Sequence, residues 1–456
     1  MCIRDRKNIC RILKVSILLV AMAIGLTVPS FAQGVDLEQQ FKEVAVKFVN
    51  DMCSGNYDEC YTVMDETMKK AMSAEDLKKD WETLKSVTGP IESASVTNTA
   101  ESNGFYIVVI TCRGEVQDLI VQVVMNEDRT VTGLWSVLSP KVEPVEVSYE
   151  GVVEEDVVIN AGTEWELNGK LTLPAGQEGP FPAAILIHGS GPSDMNETVG
   201  GCSPFRDLAV GLARQGIAVL RYDKRTFAHA QQLSQGNVAE LTIKEEYVDD
   251  VVAAVTLLKS DSRIDSSRIF GIGHSLGATV LPRIDISGAD FRGMVLLAGT
   301  PRPLWEVSYD QNLMAISTLP EEYYEENMKI VEAEVQKVQV LLDADMEESK
   351  GLTAFGLPGY YLKDMMEYPP IELLEKSDKP VMILQGTDDF QVYPDKDFAM
   401  FKAKLGSRPN TVLKLYDGLN HLFMSYNGDY KGTVNEYNTA ANVEMCIRDR
   451  QHTESA

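Results

Sequence analysis

The feature that most constrains this chain is the run Arg268-Ile-Phe-Gly-Ile-Gly-His-Ser-Leu-Gly-Ala278, an apolar β-segment that breaks at Gly273-His274-Ser275-Leu276-Gly277 and continues as helix. So sharp a strand-to-helix turn needs glycine two residues before and after its apex, because a Cβ there would strike the backbone. The turn lifts Ser275 to where a base can reach a hydroxyl that is otherwise a poor nucleophile. It belongs at the carboxyl edge of a mostly parallel, doubly wound sheet, so the expected fold class is α/β. Five-residue patterns recur by chance, and the partners therefore decide the reading.

In this architecture the order is nucleophile, acid, histidine. Pro380–Gln385 reads as a buried parallel strand, and Gly386-Thr387-Asp388-Asp389 follows at its carboxyl end. Asp389 stands in the G-x-x-D register and is the expected acid; Asp388 is the alternative, expected as a turn residue. Thr411–Tyr416 reads as a further strand, leading into Asp417-Gly-Leu-Asn-His421. Of the five histidines, His188, His229, His274, His421 and His452, only His421 follows the acid within the folded region, which makes it the expected base. His188 and His274 are expected to be structural, and His229, in a polar loop, is open to a pocket-lining role.

The strand Ala183–Ile187 and the turn His188-Gly-Ser-Gly-Pro192 precede the elbow by about eighty-five residues, the spacing of an oxyanion loop. The amides of Ser190 and Leu276 are the expected donors to a developing oxyanion. This turn is neither a phosphate loop nor a dinucleotide fingerprint, and the cysteines and histidines lack metal-ligand spacing, so no cofactor and no metal are expected. The charged turn with Arg221, Asp223, Lys224 and Arg225 is expected to form structural ion pairs, with carboxylate binding as the alternative.

Through His188-Gly-Ser-Gly-Pro192, Gly216–Arg225, Gly273–Gly277, Gly386–Asp389 and Asn420-His421, the chain resembles bacterial esterases of the α/β-hydrolase superfamily. It looks closest to those termed dienelactone-hydrolase-like or prolyl-oligopeptidase-like, over residues of about 145 to 444. The resemblance implies that Ser275 attacks an acyl carbonyl, His421 takes the hydroxyl proton, Asp389 orients the imidazole, and water then cleaves the acyl-enzyme. The expected function is a carboxylic-ester hydrolase acting on a small-molecule ester. A prolyl-oligopeptidase-type peptidase is disfavoured because the N-terminal region is too short for a propeller and shows no blade-length repeat. A non-catalytic binding protein on the same scaffold is disfavoured by the complete set of three residues.

The hexamer Met-Cys-Ile-Arg-Asp-Arg occurs at residues 1–6 and again at 445–450 with unrelated flanks. It fits no structural repeat and looks like a translated library adaptor, so 1–6 and 445–456 are read as scars. Residues 7–32 read as a signal peptide: Lys7, Arg11 and Lys14 precede the apolar run Val15–Gly25, and Ser30-Phe31-Ala32 offers small residues for cleavage. The expected location is secreted or extracytoplasmic; a retained anchor is the alternative, for which the apolar run is short. Residues 1–32 carry a net +4 and 445–456 a net 0, so the formal charge of −26 becomes −30 for the remainder. That acidic surface argues against nucleic acid or an anionic membrane as partner. Oligomeric state is not legible.

Residues 33–140 are expected to form a small α+β domain, with helices over 36–86 and strands over 91–138 turning at Asn103-Gly104 and Asn126-Glu-Asp128. The pattern resembles nuclear-transport-factor-like domains. Cys53 and Cys60 are close enough in sequence to suggest a bridge. A Pro-containing linker at 141–150 leads to the hydrolase domain, 151–444. Within it about eighty residues separate the strand ending at Ala298 from Pro380, too long for a plain connection, so 301–370 are expected to form a helical cap that favours short acyl chains. Asn435–Asn442 runs almost directly into the scar, where this fold normally places a last helix, and the expectation is that this helix is missing.

Overall fold

The computed structural model describes residues 34–102, 105–140, 147–234, 240–317, 321, 324–439 and 441–443, and the chain divides near residue 141 into two compact units. The expected signal segment 7–32, the two hexamers, the turn Asn103-Gly104 and the first part of the linker lie outside the described residues.

In the N-terminal unit, helix Gly34–Ser54 and two short helices precede helix Ala74–Thr88. Ser73 and Asp76 cap the last of these reciprocally, each side chain satisfying the other's backbone N–H. An antiparallel meander follows: β1 (Ile91–Ser102), β2 (Phe105–Gly114), β3 (Gln117–Met125) and β4 (Val131–Pro140), in that spatial order. Alternate residues Val108, Ile110 and Cys112 of β2 and Leu119, Val121, Val123 and Met125 of β3 face one core, shared with Phe41, Phe48 and Trp81 of the helices. The described cysteines are free thiols, which corrects the expected Cys53–Cys60 bridge. The Cys60 thiol turns to the Phe48 carbonyl at 3.4 Å, while the Cys53 thiol hydrogen-bonds with that of Cys112.

The C-terminal unit is built on eight strands: β5 (Val152–Ile159), β6 (Leu167–Pro174), β7 (Phe181–Ile187), β8 (Ala218–Tyr222), β9 (Ile264–His274), β10 (Met294–Leu297), β13 (Val381–Gly386) and β14 (Thr411–Tyr416). The intervening β11 (Thr353–Ala354) and β12 (Leu357–Pro358) form a separate small hairpin. The sheet order is β5-β6-β8-β7-β9-β10-β13-β14, parallel from β8 to β14 and antiparallel at β5 and β6. β7 is buried along nearly its whole length because both faces are covered. Ala183, Ile185 and Ile187 join the core of Val251, Leu258 and Leu281, while Ala184 and Leu186 pack with Phe205 and Leu208 on the other side.

On that second face the register partners Ile272, Val295, Met382 and Val412 become steadily more exposed toward β14, where Met382 is 39% and Val412 51% accessible. Val443 is buried against the same face and its N–H bonds Asp207. The expected last helix concerns residues beyond Val443, outside those described.

Between β10 and β13 the insertion is helical: Leu304–Ser317, Tyr324–Asp343, Met346–Ser349 and Gly359–Met366, followed by Pro370–Lys376. Val331, Val338 and Leu341, spaced seven and three residues apart, bury one face of its longest helix. Several side-chain contacts fasten the insertion to the sheet domain, among them Tyr361 to Glu246 and Asp310 to Lys396. Arg283, on the helix after β9, forks onto both oxygens of Asp364, and Gln311 donates to the Gln391 carbonyl at 3.1 Å.

Candidate active site

β8 and β9 flank β7 on opposite sides, so the chain reverses direction across the sheet at this strand and leaves a crevice at its carboxyl end. The loops after β7, β9, β13 and β14 carry His188–Pro192, Ser275, Asp389 and His421 respectively. The Met314 side chain of the insertion packs against a cluster containing Phe390 and Leu422, the neighbours of Asp389 and His421.

Ser275 occupies φ 52°, ψ −118°, a conformation that costs a non-glycine residue about 1–3 kcal/mol and persists only where surroundings enforce it. Its N–H is held by the Leu297 carbonyl at 2.8 Å. The flanking glycines are sterically required. A Cβ on Gly273 would lie 2.4 Å from the Gly277 oxygen, and one on Gly277 would lie 2.3 Å from both the Ile187 and His188 oxygens. The sequence thus folds Ser275 onto the crevice at a position where only these residue types fit.

His421 Nδ1 lies 2.9 Å from Asp389 Oδ2, and both side chains are buried. Asp389 Oδ1 accepts the N–H groups of Gln391 and Val392 at 2.9 and 3.0 Å, and Gln385 Nε2 donates to Oδ2 at 3.2 Å. A carboxylate so held accepts from Nδ1–H, and in the neutral ring that tautomer has its free lone pair on Nε2. Asp388 turns away to a partly exposed ion pair with Lys431 at 2.6 Å.

The Ser190 amide follows Gly189, and a Cβ built on Gly189 would lie 3.2 Å from that of Ser275, so this loop runs directly beside the elbow. Leu276 opens helix Leu276–Ile284, where a first-turn N–H has no carbonyl within its own helix to bond. The two expected donors are therefore both at the crevice.

His188 is fully buried, its pKa pushed down to about 4 by that burial, with Nε2 facing the Asp194 carbonyl at 3.0 Å. His229 bonds the Glu166 carbonyl and packs edge-on to Trp165. Arg221 pairs with Glu154, and Arg225 with Asp250, as structural ion pairs.

Sequence reasoning missed Glu197. Its Oε1 accepts the Gly189 N–H at 2.6 Å, and its Oε2 lies 2.9 Å from His274 Nδ1, a contact oblique to the N–H direction and so mainly one of charge. The other His274 nitrogen, Nε2, donates to the His421 carbonyl at 3.0 Å. Burial disfavours the charged ring, yet the Glu197 carboxylate outweighs it and holds the His274 pKa above its ordinary value. Burial likewise opposes the Glu197 charge, but His274 and the Gly189 N–H hold its pKa below the usual range. This pair ties the loop after β7 to the His421 loop; nothing local to Glu197 in the sequence signals a partner in the elbow.

A family model described as Serine aminopeptidase, S33 (Hydrolase_4) matches residues 195–426, and one described as a protein of unknown function (DUF3887) matches residues 45–134. The chain is similar to Esterase EstD of Thermotoga maritima, at 32% identity over 420 residues, 91% of this chain and 95% of that protein. Among solved structures it is similar to Est1E from Butyrivibrio proteoclasticus, at 17% identity and TM-score 0.41, covering 66% of this chain and 99% of that one. It is also similar to a Mycobacterium tuberculosis puromycin-hydrolyzing peptidase, at 16% identity and TM-score 0.40, covering 77% of this chain and 46% of that one. On the match over residues 195–426 and the identity across most of its length, this chain belongs to the Hydrolase_4 family of α/β-hydrolases, with a DUF3887 domain at its N-terminal side.

Proposed function

We propose that this protein is an exported carboxylic-ester hydrolase in which Ser275 is the nucleophile, His421 the base, Asp389 the orienting acid, and the Ser190 and Leu276 amides the oxyanion hole. The observation that carries the reading is the buried Asp389–His421 pair on loops that share the sheet's carboxyl edge with the strained Ser275 turn. With its Nδ1 proton committed to Asp389, His421 accepts the Ser275 proton at Nε2 as the hydroxyl oxygen bonds to the acyl carbon. The carbonyl oxygen becomes an oxyanion, which the two amides stabilise, each by roughly 3 kcal/mol. Collapse expels the alcohol, which takes its proton from His421. Water, deprotonated by His421, repeats the sequence on the acyl-enzyme and releases the acid.

The helical insertion beside the Asp389 and His421 loops supports a closed pocket and a preference for short acyl chains, and the relative named Esterase EstD supports ester rather than amide cleavage. Export rests on residues 7–32. The family description, Serine aminopeptidase, favours a second reading as a peptidase. A panel of p-nitrophenyl acetate, butyrate and palmitate against aminoacyl p-nitroanilides separates these readings. Turnover of acetate or butyrate above palmitate, with no anilide cleavage, is expected; faster anilide cleavage overturns the esterase reading, and faster palmitate turnover overturns the acyl preference. Sequencing of exported protein beginning at Gln33 tests the leader.

A further inference from the structure

Beneath the loop after β7 lies a lysine that the proposed reaction does not use. Lys224 leaves the end of β8 and its side chain is only 1% exposed. Nζ lies 2.9 Å from both the Gly189 and Gly191 carbonyl oxygens, 2.6 Å from Tyr247 Oη and 2.6 Å from Glu246 Oε1. Tyr247 Oη itself donates to the Gly189 oxygen at 2.7 Å. Glu246 is held from its other side by Tyr361 Oη of the insertion, at 2.7 Å. Burying a lysine and a glutamate is expensive, and a surface ion pair would have held the β8 turn without that cost. The arrangement converges on one acceptor, the Gly189 carbonyl, which receives two donors and so has both lone pairs occupied.

The Gly189 carbonyl and the Ser190 N–H belong to the same peptide group. That group is planar and trans, so its C=O and N–H point in opposite directions. Fixing the oxygen on the buried side fixes the N–H on the other side, in a loop whose Gly189 runs beside Ser275. Donation to the oxygen also polarises the group and strengthens its N–H as a donor, since linked hydrogen bonds reinforce one another. We infer that Lys224 and Tyr247 are positioning residues of the oxyanion hole, clamping the Gly189 carbonyl and thereby aiming the Ser190 N–H at the reacting carbonyl oxygen. The inference rests on the proposed role of Ser275. Through Glu246 and Tyr361 the same network reaches the insertion, so the seating of the insertion and the aim of the donor share one set of bonds.

The test is kinetic, on the full chain. Tyr247→Phe keeps the ring and removes one of the two donors; Lys224→Met paired with Glu246→Gln removes the other without leaving an unpaired buried charge. Losing an oxyanion donor outright costs about 10²–10³-fold in kcat, so Tyr247→Phe, which weakens one indirectly, is expected to cost about tenfold, with KM within about twofold of wild type. Affinity for an aryl trifluoromethyl ketone, whose adduct with serine places an oxyanion in the hole, is expected to fall in proportion to kcat/KM. A merely structural lysine would lower melting temperature without that proportionality. Folded Tyr247→Phe with wild-type kcat, or with unchanged ketone affinity, overturns the inference while Ser275→Ala, assayed alongside, is inactive. Ester hydrolysis that survives in Ser275→Ala overturns the catalytic assignment and the inference together.

Discussion

Asp389→Asn changes almost no shape and reverses one polarity. The amide oxygen can keep the two backbone N–H bonds that Oδ1 now accepts from Gln391 and Val392. The new NH2 then occupies the place of Oδ2, facing His421 Nδ1 at 2.9 Å and Gln385 Nε2 at 3.2 Å, so that donor meets donor. His421 relieves the clash by moving its proton to Nε2, and an Nε2–H cannot accept the proton of Ser275. On the proposed mechanism, loss of the working tautomer is worth about 10⁴ in kcat, or about 5.5 kcal/mol of barrier. Asp388→Asn gives up only the partly exposed pair with Lys431 and should leave kcat within about twofold. Steady-state hydrolysis of p-nitrophenyl butyrate by both variants, with circular dichroism to confirm folding, decides the matter. Asp389→Asn within tenfold of wild type, or an inactive Asp388→Asn, would refute the reasoning.

Two further outcomes follow from the same crevice. Gly277→Ala places a methyl 2.3 Å from the Ile187 and His188 oxygens at the buried end of β7, so loss of soluble protein or a fall of at least 10²-fold in kcat/KM is expected; a near-wild-type Gly277→Ala would contradict the packing described. Glu197→Gln should remove stability in a pH-dependent way. The raised His274 pKa contributes stability that is full below its unfolded value of 6.5 and fades as pH rises through the folded value, and the lowered Glu197 pKa contributes above its unfolded 4.5 and fades as pH falls. The melting-temperature gap between wild type and Glu197→Gln should therefore be widest between pH 4.5 and 6.5 and shrink in alkali, whereas a gap that keeps widening above pH 6.5 would show that the pair is not charged.

What the sequence disclosed was local or ordered along the chain. The elbow was legible because glycine at positions 273 and 277 is a steric demand that leaves a written trace. Asp389 and His421 were legible because strand ends in a parallel sheet recur in fixed order, so the chain fixes their sequence of appearance. The Asp388 alternative was open because adjacent carboxylates in one turn look alike until the turn's direction is known; the structure turns Asp388 to Lys431 and Asp389 inward. Glu197 and Lys224 were not legible in these roles. Each acts on a partner contributed by another strand end, and a charged residue in a loop reads as surface until the packing above it is known. The cysteines failed for a related reason: nearness in sequence suggested Cys53 and Cys60, but the fold brings the sheet residue Cys112 to Cys53 instead.

The central claim is that Ser275 is the acyl-accepting nucleophile. Treating the folded protein with a fluorophosphonate and locating the adduct by peptide mass spectrometry tests it most directly. The account predicts a single stoichiometric adduct on the peptide containing Gly273-His-Ser-Leu-Gly277, loss of ester hydrolysis in step with labelling, and neither labelling nor hydrolysis in Ser275→Ala. An adduct on any other residue, or full ester hydrolysis by the Ser275→Ala protein, would contradict it.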